Sequence, residues 1–361
     1  MRLGDVIRGY RVSSEPTNSG GGRCMWAFAE RDGKEYFIKQ FLDPKWPTSS
    51  SMGSAASREL RREECLLFEE RHQRVNDRIN PTAIGGGNLV TAIDFFREGT
   101  TYYKVTDRVA AISREDLRGF TLRQTAVVLR TLCHSLRLLH RVGIVHGDLK
   151  PANVLLQRTN TSDLYTAKVI DFDDSYPSGD PPPPDQIVGD QRFGAPEWLR
   201  YVKRDVEVSA EQLTTAADVF ALGLVFHVYL RGDLPGYDQA RFGAPAEAVW
   251  AGEPLYLQQP LDTRMADLLC RMTAAAVAER PNVDDVIAAL ADETLLDPIK
   301  GAETPGSAEP ANRIEPVVPA EPTAAPPRTG SRVRVNLTPA VSTPPPPVPP
   351  GGSRLRTNFN R

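Results

Sequence analysis

Apolar and polar residues divide this chain into three stretches of different texture. From about residue 8 to 110 the apolar positions come in runs of strand length. Met25-Trp-Ala-Phe-Ala-Glu30 and Lys34-Glu-Tyr-Phe-Ile-Lys-Gln-Phe41 flank Arg31-Asp-Gly33, which reads as two strands joined by a glycine turn. Leu89 to Arg97 and Thr101 to Val109 repeat that arrangement across Glu98-Gly-Thr100. Between the two hairpins, Ser57 to Val75 is charged and carries Leu60 and Leu67 at helical spacing. The pattern predicts a small sheet with one helix packed on it.

Beyond about residue 114 the period changes to that of a helix. Thr121 to Arg141 repeats apolar residues at steps of three and four, and Thr214 to Leu230 is almost continuously apolar around Asp218, as a buried central helix is. Leu261 to Thr273 and Val283 to Leu290 predict two more helices. From about residue 298 onward Pro, Ala, Thr and Glu dominate, and the chain runs through Ser342-Thr-Pro-Pro-Pro-Pro-Val-Pro-Pro-Gly-Gly-Ser353. Such a composition builds no core, so 298–361 is expected to be a disordered Pro-rich tail.

Composition narrows the function classes. A net charge of -3 and a pI near 6.0 give no global basic footprint, which argues against nucleic acid as a partner. No segment approaches the roughly 20 apolar residues of a membrane span. The four cysteines, at 24, 65, 133 and 270, form no CxxC pair, which disfavours a zinc site or a disulfide framework and fits a reducing compartment. A cytoplasmic location is expected. Arginine greatly outnumbers lysine, so each lysine is more informative than usual.

The chemistry concentrates in His146-Gly-Asp-Leu-Lys-Pro-Ala-Asn-Val-Leu-Leu156. A carboxylate at 148, an ammonium at 150 and an amide at 153 supply a proton acceptor, a neutraliser of phosphoryl charge and a metal ligand, the parts that phosphoryl transfer needs. A second carboxylate, Asp171, follows the strand-like Thr166 to Ile170, and Lys39 closes the apolar run Tyr36-Phe-Ile. The bland alternatives are a tight turn stabilised by Asp and Asn side chains, and an ordinary strand lysine. Ordered recurrence of the motifs outweighs them.

Taken together these elements resemble the protein kinase superfamily, and in particular bacterial eukaryotic-like (Hanks-type) Ser/Thr protein kinases, over about residues 8 to 295. The resemblance implies an α+β, bilobal protein-kinase-like fold: an antiparallel-sheet N-lobe with one helix at about 8–106 and a larger, mainly helical C-lobe at about 110–295. It implies ATP and Mg2+ as cofactors and protein Ser/Thr hydroxyls as acceptors. By its motifs Asp148 matches the catalytic base, Lys150 the phosphate-contacting lysine, and Asn153 and Asp171 the magnesium ligands. Lys39 matches the strand lysine that contacts the α- and β-phosphates. Its ion-pair partner is expected on the following helix; Glu63 fits, with Leu66 and Leu67 packing inward after it, and Glu64 and Glu59 are alternatives. Gly20, Gly21 and Gly22 match an atypical phosphate flap, Thr106 the gatekeeper, and the backbone of Asp107 and Val109 the adenine-binding hinge. Ala195-Pro-Glu197, Asp218 and Arg280 match structural anchors of the family, with Glu197 and Arg280 paired. His146 is expected to be a packed structural residue.

Several positions depart from the pattern. Phe37 replaces a small residue beside the adenine, Asp173 the glycine after Asp171-Phe172, Gly147 an arginine that clasps a phosphorylated loop, and Asp190 a threonine on the substrate side. These substitutions keep two rival readings open. One is a pseudokinase acting as a nucleotide-binding scaffold; the other, suggested by His-Gly-Asp with Asn five residues after the Asp, is an aminoglycoside-type small-molecule phosphotransferase. Lys150, Glu197, Asp218 and Arg280 favour protein substrates. In the tail, Thr338, Ser342 and Thr343 are candidate autophosphorylation targets, and the Pro-rich run is a candidate partner-binding segment.

Overall fold

The computed structural model describes residues 1–19, 22, 24–79, 88–112, 119–160 and 162–297. Its first part is a six-stranded antiparallel sheet in the order β1-β2-β3-β4-β6-β5, from β1 (Val6–Ile7), β2 (Tyr10–Val12), β3 (Cys24–Arg31), β4 (Lys34–Phe41), β5 (Ala92–Glu98) and β6 (Thr101–Asp107). The β3/β4 turn is as short as a hairpin allows. Arg31 pairs with Lys34, so Asp32 and Gly33 alone make the loop, both with positive φ (55° and 75°), which is why an Asp-Gly dipeptide sits there. The second expected hairpin also forms, although β6 ends at Asp107, two residues before the predicted Val109.

Helix α1 (Ala55–Arg78) lies between β4 and β5, as its position between the hairpins predicted. Its buried face differs from the predicted one. Leu60, Leu66 and Leu67 are exposed, whereas Cys65, Phe68, His72 and Val75 are buried at steps of three, four and three residues. That stripe is the true 3.6-residue face. It was hidden because a cysteine and a histidine occupy two of its four positions while leucines lie outside it. Phe68 and His72 pack with Phe41, Phe95 and Tyr102 in an aromatic layer under the sheet.

The second part is mainly helical: α2 (Leu122–Arg141), α3 (Pro196–Val202), α4 (Ala216–Arg231), α5 (Pro245–Trp250), α6 (Thr263–Met272) and α7 (Val283–Ala289). Helix α2 starts on a capping box, in which Thr121 accepts from the Gln124 amide and Gln124 accepts from that of Thr121. Helix α4 is buried on nearly every side and stops at Gly232, whose φ of 89° ends it in the left-handed region. Two small hairpins shape the site: β7 (Ile144–Val145) pairs with β10 (Tyr176–Pro177), and β8 (Val154–Arg158) with β9 (Tyr165–Val169). The result is the expected two-part α+β architecture. The expected tail at 298–361 lies outside the described residues.

Candidate active site

Strand pairing explains how distant residues converge. Val154 pairs with Val169, so the residue before β8 (Asn153) and the segment after β9 (Ile170, Asp171) come to one end of the hairpin, and the Ile170 amide donates to the Asn153 carbonyl at 3.0 Å. β7 pairs with β10 in the same way and lays the loop 146–149 against the segment 172–176. From α4, Asp218 fixes that loop from below. Its carboxylate accepts from the amides of His146 (2.8 Å) and Gly147 (3.1 Å) and meets His140 Nε2 at 3.0 Å. A buried carboxylate needs such donors, and here they hold the backbone that carries Asp148.

Asp148 is held by both of the residues that its motif supplies. Lys150 Nζ lies 2.8 Å from Asp148 Oδ2, and Asn153 Nδ2 donates to Asp148 Oδ2 at 2.9 Å and to its carbonyl at 2.8 Å. These bonds use the nitrogen end of the Asn153 amide and leave its oxygen as the end suited to a cation. Burial works against the charged form of Lys150, but the Asp148 carboxylate outweighs it and the ammonium's pKa is raised. On its other side Lys150 reaches Asp190 at 3.5 Å. Asp190 therefore shares the lysine that serves Asp148.

His146 takes a structural part, as expected. It is fully buried, its Nε2 lies 3.1 Å from the Ile170 carbonyl, and its Nδ1 accepts from the Asp148 amide at 3.3 Å. A carbonyl only accepts, so the hydrogen is on Nε2 and the ring is neutral. Phe172 packs against it with ring centroids 5.4 Å apart.

Lys39 departs from expectation. The anticipated pair with Glu63 does not form: Glu63 is exposed on α1, and Lys39 Nζ instead bonds both oxygens of Asp171 at 2.9 Å and Asp173 Oδ2 at 2.7 Å. Glu59 pairs with Arg62, and Glu64 is exposed as well. The helix turns Cys65, Phe68 and His72 toward the sheet, so none of the three glutamates lies on the face that meets Lys39. Asp173, read from sequence as a lost glycine that adds a carboxylate near the metal position, bonds Lys39 where the helix acid was expected. Its other oxygen bonds Lys104 Nζ and lies 3.5 Å from His72 Nε2. Burial alone would lower the Lys39 pKa, yet Asp173 and Asp171 raise it; burial would raise that of Asp173, yet Lys104 and Lys39 hold it well below the usual carboxylate range. Asp171 has a φ of 65°, in the left-handed region that non-glycine residues adopt uncommonly and aspartate more readily than most.

Lys104 was not singled out from the sequence, though a signal existed. It interrupts the apolar run Tyr102-Tyr-Lys-Val105 in a lysine-poor chain, and the two-hairpin reading puts β6 in the same sheet as β4. Lys39 and Lys104 are direct cross-strand partners, so their side chains share one face.

Phe37 stacks on Trp26 with centroids 5.4 Å apart and pairs in register with Thr106, so aromatic area stands where a small residue was expected. Asp107 closes β6, and its side chain pairs with Lys34 at 2.6 Å. The Val109 carbonyl accepts from the Ala111 amide at 3.0 Å. Gly22 has a φ of 55°, whereas Gly20 and Gly21 lie outside the described residues. Glu197 and Arg280 pair as anticipated, at 2.7 Å and 2.8 Å.

The family model described as protein kinase domain matches residues 73–290, more than half of the chain. An ovarian-specific serine/threonine-protein kinase, Lok, of Drosophila melanogaster is 31% identical over 160 residues, 43% of this chain and 32% of that protein. A probable myosin light chain kinase of Dictyostelium discoideum is 30% identical over 156 residues, 42% of this chain and 48% of its own length. A MAP kinase-interacting serine/threonine-protein kinase 2 of Xenopus laevis is 26% identical over 169 residues, 42% of this chain and 34% of that protein. The chain thus spans about a third to a half of the length of these curated relatives.

Proposed function

The chain belongs to the protein kinase domain family, and on that premise we propose that it is a serine/threonine kinase that transfers the γ-phosphoryl group of ATP to protein hydroxyls in cytoplasmic signalling. The observation that carries this reading is the bonding of Asp148 by Lys150 and Asn153. It leaves a fixed carboxylate beside an ammonium, which can orient an acceptor hydroxyl and take its proton while Lys150 offsets phosphoryl charge. The oxygen of the acceptor forms the new bond to phosphorus, and the bond to the bridging oxygen of ADP breaks.

The donor set fits a magnesium ion: the Asp171 carboxylate and the free oxygen end of the Asn153 amide are hard oxygen ligands at one end of the β8/β9 hairpin. When bound, the ion supplies charge neutralisation at the phosphates. Lys39 holds the α- and β-phosphates, and the backbone of Asp107 and Val109 takes the adenine edge. Serine and threonine hydroxyls of proteins are the favoured acceptors because Lys150, Glu197, Asp218 and Arg280 accompany the base, and because two of the relatives named above are called serine/threonine-protein kinases. Thr338, Ser342 and Thr343 remain the candidate tail targets.

A second reading, a nucleotide-binding scaffold without transfer, is favoured by one observation: both oxygens of Asp171 are occupied by Lys39. Label transfer from ATP and magnesium to the chain itself or to a generic basic protein separates the two. Transfer that is abolished by Asp148→Ala establishes the kinase; nucleotide binding without transfer establishes the scaffold.

A further inference from the structure

The cluster around Asp173 joins three elements that a helix glutamate would otherwise connect. One oxygen of Asp173 bonds Lys39 of β4 at 2.7 Å. The other bonds Lys104 of β6 and lies 3.5 Å from His72 of α1. His72 Nδ1 lies 2.9 Å from the Phe68 carbonyl and therefore carries a hydrogen, while Nε2 makes no hydrogen bond, so the ring packs beside Asp173 without holding it. The side chains are little exposed: 12% for Asp173, 10% for Lys39 and 8% for Lys104. Ion pairs with so little solvent around them are weakly screened and fix geometry as exposed pairs do not.

We propose that Asp173 is the residue that positions Lys39 for the nucleotide phosphates, with Lys104 positioning Asp173 in turn, and that no glutamate of α1 takes part. The inference rests on the kinase reading above and deepens it. Two lysines face two carboxylates, since Lys104 also lies 3.5 Å from Asp171. When Asp171 turns to a cation, Lys39 keeps Asp173 as its partner and stays in place. Without Asp173, both lysines depend on Asp171 and compete with the metal for it. A second carboxylate beside the metal position, which at first sight harms a kinase, is what lets Asp171 leave Lys39.

This arrangement predicts which substitutions matter. Asp173→Ala should lower kcat by ~10- to 100-fold with a smaller change in KM for ATP, because Asp171 is then held by two lysines. Asp173→Glu should recover most of that loss. In the Asp173→Asn background, Lys104→Met should restore activity by ~10-fold, since it removes the surplus cation from Asp171. Glu63→Ala and Glu64→Ala should retain wild-type kcat and KM. A merely structural Asp173 would instead show its loss in melting temperature, with no gain on Lys104→Met.

The experiment measures turnover and binding of a fluorescent ATP analogue in these variants, with melting temperatures as the check on folding. A tenfold loss in Glu63→Ala or Glu64→Ala, or unchanged turnover in a folded Asp173→Ala protein, overturns the proposal. Should Asp173→Ala fail to fold, the Glu63 and Glu64 variants and the Asp173→Asn, Lys104→Met pair decide it. A wild-type chain that binds ATP without transferring phosphate overturns the kinase reading alone. Asp173 is then judged by binding: a tenfold weakening in Asp173→Ala but not in Glu63→Ala supports it, and equal affinities overturn it. A wild-type chain that binds no ATP overturns both.

Discussion

Arg280 grips Glu197 with both arms of its guanidinium, at 2.7 Å and 2.8 Å, in a site closed to solvent. The same guanidinium donates to the carbonyls of Ala274, Ala216 and Ala275. One side chain thereby ties the start of α3, the start of α4 and the segment before α7 together. Removing one partner of a buried pair leaves an uncompensated charge, which costs about 3–5 kcal/mol. Arg280→Met should therefore destabilise more than Glu197→Gln, because it also strands three carbonyls. Urea unfolding of both variants checks the order; equal losses would show that the carbonyl bonds contribute nothing.

Gly147 answers a backbone demand. Its φ is 80°, and a Cβ there would stand 2.6 Å from the Asp174 carbonyl oxygen and 3.1 Å from the Tyr176 ring. Gly147→Ala should cost about 2–4 kcal/mol, the sum of left-handed strain and a clash with backbone that β10 holds in place. Gly147→Arg should be no better, since the arginine's Cβ meets the same atoms. Thermal melting of the two variants tests this, and an alanine variant as stable as the wild type would refute it.

This glycine shows where sequence reading reached its limit. Its presence was read as a lean toward small-molecule kinases and a lost phosphate clasp; the structure gives a local steric reason that only the fold supplies. Motifs whose parts lie close in sequence were more legible: Lys150 and Asn153 both bond Asp148 because a tight stretch of six residues leaves them few alternatives. Pairings across long separations were less legible. Arg280 with Glu197 followed from the family pattern, whereas Lys39 with Glu63 failed because leucines at 60, 66 and 67 mimicked a buried stripe that belongs to Cys65, Phe68, His72 and Val75. Lys104 went unread because its significance depends on strand register: it is the cross-strand neighbour of Lys39.

Asp174 makes stability depend on pH. Burial, with the carboxylates of Asp173, Asp171 and Asp148 nearby, raises its pKa from 3.8 to about 7. The folded chain therefore holds a proton that the unfolded chain has released. Its stabilising effect is complete below pH 3.8 and is lost as pH rises through about 7. In magnesium-free buffer, Asp174→Asn should stabilise the protein relative to wild type, by about 1–2 kcal/mol more at pH 8 than at pH 5 after allowance for partial exposure. Paired unfolding curves at the two pH values test it. An advantage independent of pH would mean that Asp174 titrates at its ordinary value in the fold.

Lys150 stands between two carboxylates, 2.8 Å from Asp148 and 3.5 Å from Asp190. Asp190 is itself fixed, since its carboxylate accepts from the Arg192 amide at 2.9 Å and its carbonyl from the amides of Phe193 and Gly194. Lys150 lies within reach of both oxygens of Asp148, at 3.1 Å and 2.8 Å, and Asp190 is the pole that draws the ammonium away from them. Asp190→Ala removes that pole, so Lys150 should stay on Asp148 and mask the carboxylate proposed to orient the acceptor. Turnover should fall by ~10-fold with KM for ATP unchanged, because the residues proposed to hold ATP, Lys39, Asp107 and Val109, do not include Asp190. Asp190→Thr should behave likewise, since a hydroxyl does not balance the ammonium. Steady-state rates with ATP and acceptor varied separately read this split: a rise in KM for ATP would place Asp190 on the nucleotide side, and unchanged kinetics would remove it from the mechanism.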